Sequence, residues 1–369
     1  MLLTTLTLQQ FRSYTKAAMN FSPFVTVMIG PNTVGKTNIV EAVYFLATGK
    51  SFRADRDSET IHWESEIGRI KATGDDMKLE IVLTTGSVGG QSAPLKKYLV
   101  NGIPRRQIDF IGNLRAVLFW PEHLELITGS PSLRRKYLDG VLVQVDREYR
   151  RNLLSYERGL RQRNKLLDLI GEGKASRAQL VFWNQLLIKA GGYITDKRTE
   201  FIGFVNSHEL LTMNYQLTYD KSVISESRLE QYKDEEIAAK ATLVGPHRDD
   251  IIFIKEISDK DIRDKKDKNV SLITSRLSLS SYGSRGEQRL AILWLKLSEL
   301  AYIQTLTGER PILLLDDIFS ELDEEHRELV LNLIGKQQTI ITSAEEEILD
   351  LLRIKKMSHV EVIHLPPKT

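Results

Sequence analysis

Apolar and polar residues alternate along residues 2–9, the pattern of a strand with one buried face. Phe24-Val25-Thr26-Val27-Met28-Ile29 is denser, apolar and β-branched, which predicts a buried strand. A glycine-bearing turn follows. From Asn38 to Leu46 the apolar residues then fall at helical spacing. Shorter alternating runs at 67–72, 79–84 and 95–100 lie beside Gly74-Asp75 and Asn101-Gly102, whose chemistry suits hairpin turns, so this region reads as antiparallel β. Residues 116–120 form one more short apolar strand, closed by Pro121.

The texture changes after Pro131, with no proline again until Pro246. Leu138, Val141, Leu142, Val145, Tyr149, Leu153, Tyr156 and Leu160 recur at helical spacing within 133–170. A second helical pattern covers 176–209, with Gly191-Gly192 as a candidate break. The two are expected to pair antiparallel. Strand-like sequence returns at 242–246 and 251–254, and residues 255–268 are a mixed-charge run expected to be a solvated hairpin or loop. An apolar helix is predicted over 290–306, a buried strand over 311–317, a helix over 324–334 and a strand over 339–342. The α/β pattern thus occupies both ends of the chain. The expected division is residues 1–125 with 242–369 as one composite α/β body, β-rich near its N-terminus, and 126–241 as an inserted, mainly helical lobe.

The totals narrow this picture only a little. A chain of 369 residues, 41% apolar and 27% charged, can bury a sizeable core. A net charge of +2 implies no partner by itself, so any basic surface is local. The absence of cysteine excludes disulfides and thiolate metal sites and fits a cytoplasmic location. The N-terminus lacks the basic and apolar segments of a signal peptide. No apolar run approaches the ~18 residues of a membrane helix.

The turn after the 24–29 strand carries the chemistry. Gly30-Pro31-Asn32-Thr33-Val34-Gly35-Lys36-Thr37 reads G-x-x-x-x-G-K-T between a strand and a helix, the context in which backbone N–H groups cradle phosphates. Lys36 is then the residue that reaches the β- and γ-phosphates of ATP, and the Thr37 hydroxyl a Mg2+ ligand. Such a loop needs an acid at the end of a neighbouring strand. Leu313-Leu314-Leu315-Asp316-Asp317 supplies it: Asp316 for the metal, Asp317 to orient or deprotonate an attacking water. Ser284 and Gly286 precede a helix and offer a second anion-binding end. The plainer reading of Ser284 is a helix cap.

In their order these motifs resemble the ABC/SMC-type ATPase heads, and more closely the RecF family of bacterial recombination mediators. The residues carrying the resemblance are Gly30 to Asn38, Phe119-Trp120-Pro121-Glu122-His123-Leu124-Glu125-Leu126, Arg134-Arg135-Lys136-Tyr137-Leu138-Asp139, Gly245-Pro246-His247-Arg248-Asp249-Asp250, Ser284 to Arg289 and Leu314 to Asp317. The resemblance implies a two-lobed P-loop head that dimerises around two ATP, with Ser284 and Gly286 of one subunit meeting the γ-phosphate held by the other. Ser320-Glu321-Leu322-Asp323 falls where that class keeps its dimer-contacting loop. Arg53 matches a phosphate-contacting arginine of SMC-like heads, its plainer reading being a surface arginine. Also implied are weak, DNA-stimulated ATP hydrolysis, binding of single-stranded and gapped or duplex DNA, and work with RecO and RecR in loading RecA at single-strand gaps. Three departures favour a slow switch over a motor. Pro121-Glu122 stands at the usual Q-loop glutamine, Asp317 at the usual catalytic glutamate, and Thr342 or Ser343 at the usual switch histidine.

Residues 132–166 hold ten Lys/Arg against four Asp/Glu. Arg147, Arg150, Arg151, Arg158, Arg161 and Lys165 recur near one helical face, a stripe able to track DNA phosphates or a plain solvated face. Lys96, Lys97, Arg105 and Arg106 are a second basic cluster. A transporter ATPase subunit, the main alternative, should carry the three residues missing here and a smaller insert. A small-molecule P-loop kinase has no use for Ser284 or for 320–323.

Overall fold

The computed structural model describes residues 1–208, 214–256, 276–320, 322, 324–355, 357 and 359–366, with the side chain of Glu325 excepted. In chain order the strands are β1 (Thr5–Phe11), β2 (Tyr14–Asn20), β3 (Val25–Ile29), β4 (Ile67–Gly74), β5 (Met77–Thr84), β6 (Ser87–Val88), β7 (Gln91–Ser92), β8 (Lys96–Val100), β9 (Ile103–Arg105), β10 (Ala116–Phe119), β11 (Tyr215–Asp220), β12 (Asp250–Glu256), β13 (Arg276–Ser278), β14 (Ile312–Asp316), β15 (Thr339–Ser343) and β16 (Val360–His364). Two compact units divide the chain: Met1–His123 with Glu299–Thr369, and Leu124–Ser298.

The first unit holds two large sheets around one helix, together with the two-stranded sheet β6-β7. A parallel sheet has the order β10-β14-β15-β3-β16, and an antiparallel sheet the order β2-β1-β4-β5-β8-β9. All five residues of β3, β14 and β15 are buried, as parallel strands covered on both faces must be. β16 was not legible in the sequence. It lies parallel to β3 at the sheet edge and mixes exposed and half-buried residues, so it lacks the dense apolar signal of its neighbour. In the antiparallel sheet the two-residue turn between β8 and β9 is Asn101-Gly102, both with positive φ. The β4–β5 turn is Asp75-Asp76, one residue past the expected site. α1 (Lys36–Thr48), followed along the chain by the one-turn helices α2 (Gln107–Phe110) and α3 (Glu125–Thr128), touches β10, β14 and β15 of one sheet and β4 and β5 of the other. Ten of its thirteen residues are buried, so it is apolar nearly all round rather than striped.

The second unit is helical with a small sheet, β11-β12-β13. The single pattern expected over 133–170 is two helices, α4 (Pro131–Val145) and α5 (Arg147–Gly171), separated by Asp146. The Asp146 carboxylate accepts the N–H groups of Glu148 and Tyr149 at 2.8 and 3.0 Å, capping α5. The second long helix (Leu180–Ser207) runs unbroken through Gly191-Gly192. Gly191 is there for space: a Cβ would lie 2.8 Å from Ile224 and 3.1 Å from the Tyr156 ring. Contacts of Arg163 with Asn184 and of Arg198 with Tyr149 show that this helix runs antiparallel to α5.

Residues 242–246 form no strand. Their backbone donors are taken by side chains instead: Thr242 by Asn164, Leu243 by Glu236 and Gly245 by Ser222. Residues 242–256 and 276–298 group with the helices of the second unit, where β12 pairs with all six residues of β11. Residues 257–268 of the mixed-charge run, and Glu209 at the expected helix end, lie outside the described residues.

The Gly245-to-Asp250 segment anchors this unit. Arg198 bonds Asp249, Asp139 and the Pro246 carbonyl, while Arg134 grips Asp250 with two parallel bonds of 2.6 and 2.9 Å. His247 lies between the Tyr156 hydroxyl (2.8 Å) and the Thr242 carbonyl (2.9 Å), and burial pushes its pKa down to about 4. The unfolded chain, with an imidazole near 6.5, therefore binds the proton first. Stability falls as pH drops from 6.5 toward 4, by up to about 3 kcal/mol from this group. Denaturant midpoints across that range are expected to slope less in His247→Gln than in the parent; equal slopes would mean that His247 does not titrate in this way.

Candidate nucleotide site

The register of the parallel sheet brings the pieces together. Asp316 is level with Thr342 on β15, and Thr342 with Met28 on β3, so the carboxyl ends of all three strands meet at one edge. This edge is where open α/β sheets bind ligands. β3 leads into the loop 30–37, where Thr33 (φ 78°) and Gly35 (φ 108°) adopt left-handed backbone and turn the chain into α1. Gly35 is required twice over, since a Cβ would also lie 2.8 Å from the Tyr14 hydroxyl. Pro31, Asn32 and Thr33 are exposed; Val34 is buried.

Lys36 lies almost wholly buried, its Nζ donating to the carbonyls of Gly30 (2.7 Å) and Pro31 (3.1 Å). Burial lowers its pKa, while Asp317 and Asp316 pull it upward. The Thr37 hydroxyl donates to Asp316 Oδ1 at 3.3 Å, and Thr342 donates to the same oxygen at 2.6 Å. Burial raises the Asp316 pKa against these two hydrogen bonds, so the carboxylate gains from a cation. Thr37 and Asp316 are spaced to hold Mg2+: adjacent oxygens of an octahedron with bonds of about 2.1 Å lie roughly 3 Å apart. Two protein ligands suit Mg2+, which keeps waters and substrate phosphates in its other positions.

Asp317 is half-buried at φ 50°, its N–H bonded to the Thr342 hydroxyl (3.0 Å) and carbonyl (3.2 Å). Thr342 therefore ties both acids to β15. Asn38 donates to the Ser13 hydroxyl and accepts from Nη1 of the exposed Arg53 at 3.3 Å.

In the second unit, Ser284 is exposed and caps the helix Arg285–Thr307 reciprocally. Its hydroxyl accepts the Glu287 N–H (3.3 Å), and its N–H donates to the Glu287 carboxylate (2.8 Å). Lys255, which also donates to that carboxylate, and the Ser284 contacts push its pKa down to about 2. A Cβ on Gly286 would meet open space. Glu321 and Asp323 lie outside the described residues; Ser320 donates to the Asp317 carbonyl.

On α5, Arg147, Arg151, Arg158, Arg161 and Lys165 are all exposed, within an arc of about 80° and along roughly 27 Å of axis. Arg151 also pairs with Glu148. Arg150 leaves the expected stripe: it is buried and donates to the Val143 carbonyl, one of the orphan acceptors ending α4. The second basic cluster divides. Lys96 is bound to Asp57 and the Gly49 carbonyl and Arg106 pairs with Asp109, while Lys97 and Arg105 face solvent.

Sequence reasoning missed Thr342 as a partner of both acids and the group around Glu41. This fully buried carboxylate on α1 accepts two bonds from Arg12 and one from Ser51. A glutamate amid Ile39, Val40, Ala42 and Val43 was the available signal.

Residues 2–363 match the RecF/RecN/SMC N terminal domain. The chain is 34% identical to the DNA replication and repair protein RecF of Roseiflexus castenholzii, covering 100% of both. It is 36% identical to that of Halalkalibacterium halodurans, over 97% of this chain and 96% of the relative. Among solved structures it is similar to the recombination mediator protein RecF with ATP, at a TM-score of 0.79 and 27% identity, covering 93% of this chain and 92% of that one. The α/β head fold expected from the motifs is thus shared with a protein of the same description, and the chain belongs to the RecF family of DNA replication and repair proteins.

Proposed function

We propose that this protein is an ATP-gated, DNA-binding recombination mediator that hydrolyses ATP weakly. The observation that carries the reading is the junction of three strand ends, where Lys36, Thr37, Asp316 and Thr342 lie within hydrogen-bonding reach of one another or of the loop. Residues 30–38 cradle the phosphates through backbone N–H groups at the start of α1. Lys36 exchanges the carbonyls of Gly30 and Pro31 for β- and γ-phosphate oxygens. Thr37 and Asp316 hold Mg2+, which supplies neutralising charge to the phosphates when bound. Asp317 orients the attacking water. Thr342 has no basic nitrogen to assist and serves to fix the acids, in keeping with a switch. Ser284 and Gly286 complete the site of a second copy, so that ATP closes a homodimer. Sedimentation of the chain with and without ATP and gapped DNA tests this reading: ATP should raise the sedimenting mass, and an unchanged mass argues against it.

DNA is held through phosphates by the stripe on α5, and the chain acts in the cytoplasm with RecO and RecR at single-strand gaps to load RecA. On this reading log affinity falls steeply with log salt. Neutralising Arg151, Arg158 and Arg161 together should weaken all sequences alike and flatten that slope by about two to three units. Parental binding by the triple mutant would leave the stripe a solvated face.

A further inference from the structure

The buried group around Glu41 has no part in the site as described so far, yet it begins and ends at it. Glu41 lies on α1, the helix that carries Lys36 and Thr37. Arg12 donates Nε to Oε2 (2.9 Å) and Nη2 to Oε1 (2.6 Å), a fork that satisfies the carboxylate without further help. Ser51 nonetheless adds its hydroxyl to Oε1. The same Ser51 oxygen accepts the backbone N–H groups of Arg53 (3.0 Å) and Ala54 (2.8 Å). A hydroxyl that donates to a carboxylate becomes a stronger acceptor, so the turn 51–54 is pinned to α1 through one polarised oxygen.

The Arg53 side chain returns to the same helix, where Nη1 meets Asn38 Oδ1. Asn38 directly follows Thr37, so this contact holds the guanidinium at the N-terminal turn of α1. Arg53 is thus held to α1 at two places, by its backbone through Ser51 and Glu41 and by its guanidinium through Asn38. A buried charge serves stability no better than an apolar residue of the same shape. What the apolar residue lacks is the acceptor that orients Ser51.

We propose that Glu41, acting through Ser51, is a positioning residue that places Arg53 where the chain distinguishes a nucleoside triphosphate from a diphosphate. The proposal rests on the nucleotide reading above and deepens it. The loop N–H groups serve phosphates that both nucleotides possess, while Lys36 bridges the β- and γ-phosphates. Arg53, anchored to α1 through Asn38 and through Ser51 and Glu41, is a second cation that answers the extra charge of the third phosphate.

The test is competition of ATP and ADP against a fluorescent nucleotide on the full chain. Arg53→Ala should lower the preference for ATP over ADP about tenfold, the loss of one charge-assisted contact. Ser51→Ala and Glu41→Gln should move the ratio in the same direction, and Ser51→Ala with Arg53→Ala should fall no further than Arg53→Ala alone. A purely structural Glu41 would lower the melting temperature and leave the ratio at its parental value, which overturns the proposal, as does additivity in the double variant. If Glu41→Gln does not fold, Ser51→Ala decides, because Glu41 then keeps both Arg12 bonds. An unchanged ratio in Arg53→Ala also overturns it, while loss of both nucleotides in Lys36→Ala would show that the site itself stands.

Discussion

Replacing Lys36 with alanine should abolish measurable ATP binding while leaving the fold in place. The ammonium is buried against two loop carbonyls and faces two carboxylates, so it is desolvated before any ligand arrives. Its contacts to phosphate are charge-assisted, each worth about 1.5–3 kcal/mol. Losing two such contacts lowers affinity by roughly a hundredfold or more. Alanine suits the first turn of α1, and the freed carbonyls of Gly30 and Pro31 lie beside exposed loop residues that water can reach. Equilibrium titration with labelled ATP, alongside a melting curve, checks both halves of the expectation. Parental affinity in Lys36→Ala would overturn the assignment of the loop.

What could be read from the sequence, and what could not, follows from how local each signal is. β3, the loop and α1 were legible together because a buried strand, a turn of fixed spacing and an apolar helix each leave a mark within a few residues. β14 was legible for the same reason: four apolar residues and then an acid. The signals that misled were local as well. Arg150 stands at the right spacing for a basic stripe, but the end of α4 claims its guanidinium, and only tertiary packing reveals that. Gly191 reads as a break until Ile224 and Tyr156 are found filling the space a side chain would need. Thr242 to Gly245 has strand composition, but its donors are taken by Asn164, Glu236 and Ser222, from three other segments. The Arg12–Glu41–Ser51 group draws on three separate segments, and none of the three residues belongs to a motif. In the sequence, Thr342 stands out only beside Ser343 as a place where a histidine is missing; its bonds to Asp316 and Asp317 arise from strand register.

The Ser284 hydroxyl already has a partner within its own chain. Ser284 and Glu287 form a reciprocal cap, so removing the hydroxyl costs the helix about 1 kcal/mol, too little to unfold the unit. Ser284→Ala is therefore the control for the cap, and Ser284→Arg adds bulk and charge to an exposed position. If Ser284 completes a partner's site, Ser284→Arg should bind ATP as the parent does, because Lys36 and Thr37 are untouched, yet fail to dimerise and lose hydrolysis. Mixing it with Asp317→Asn chains makes the test sharper wherever the mixed dimer forms. Across two subunits, the Asp317→Asn chain lends its intact Ser284 to the other chain's intact Asp317. One of the two sites then carries both defects and the other carries neither. Activity should return in the mixture although each variant alone is inactive. Were Ser284 to serve its own chain's nucleotide, each site would carry one defect and mixing would restore nothing. Sedimentation gives the independent check: Ser284→Arg that dimerises with the parental ATP dependence rules out a shared site, even if its hydrolysis is impaired.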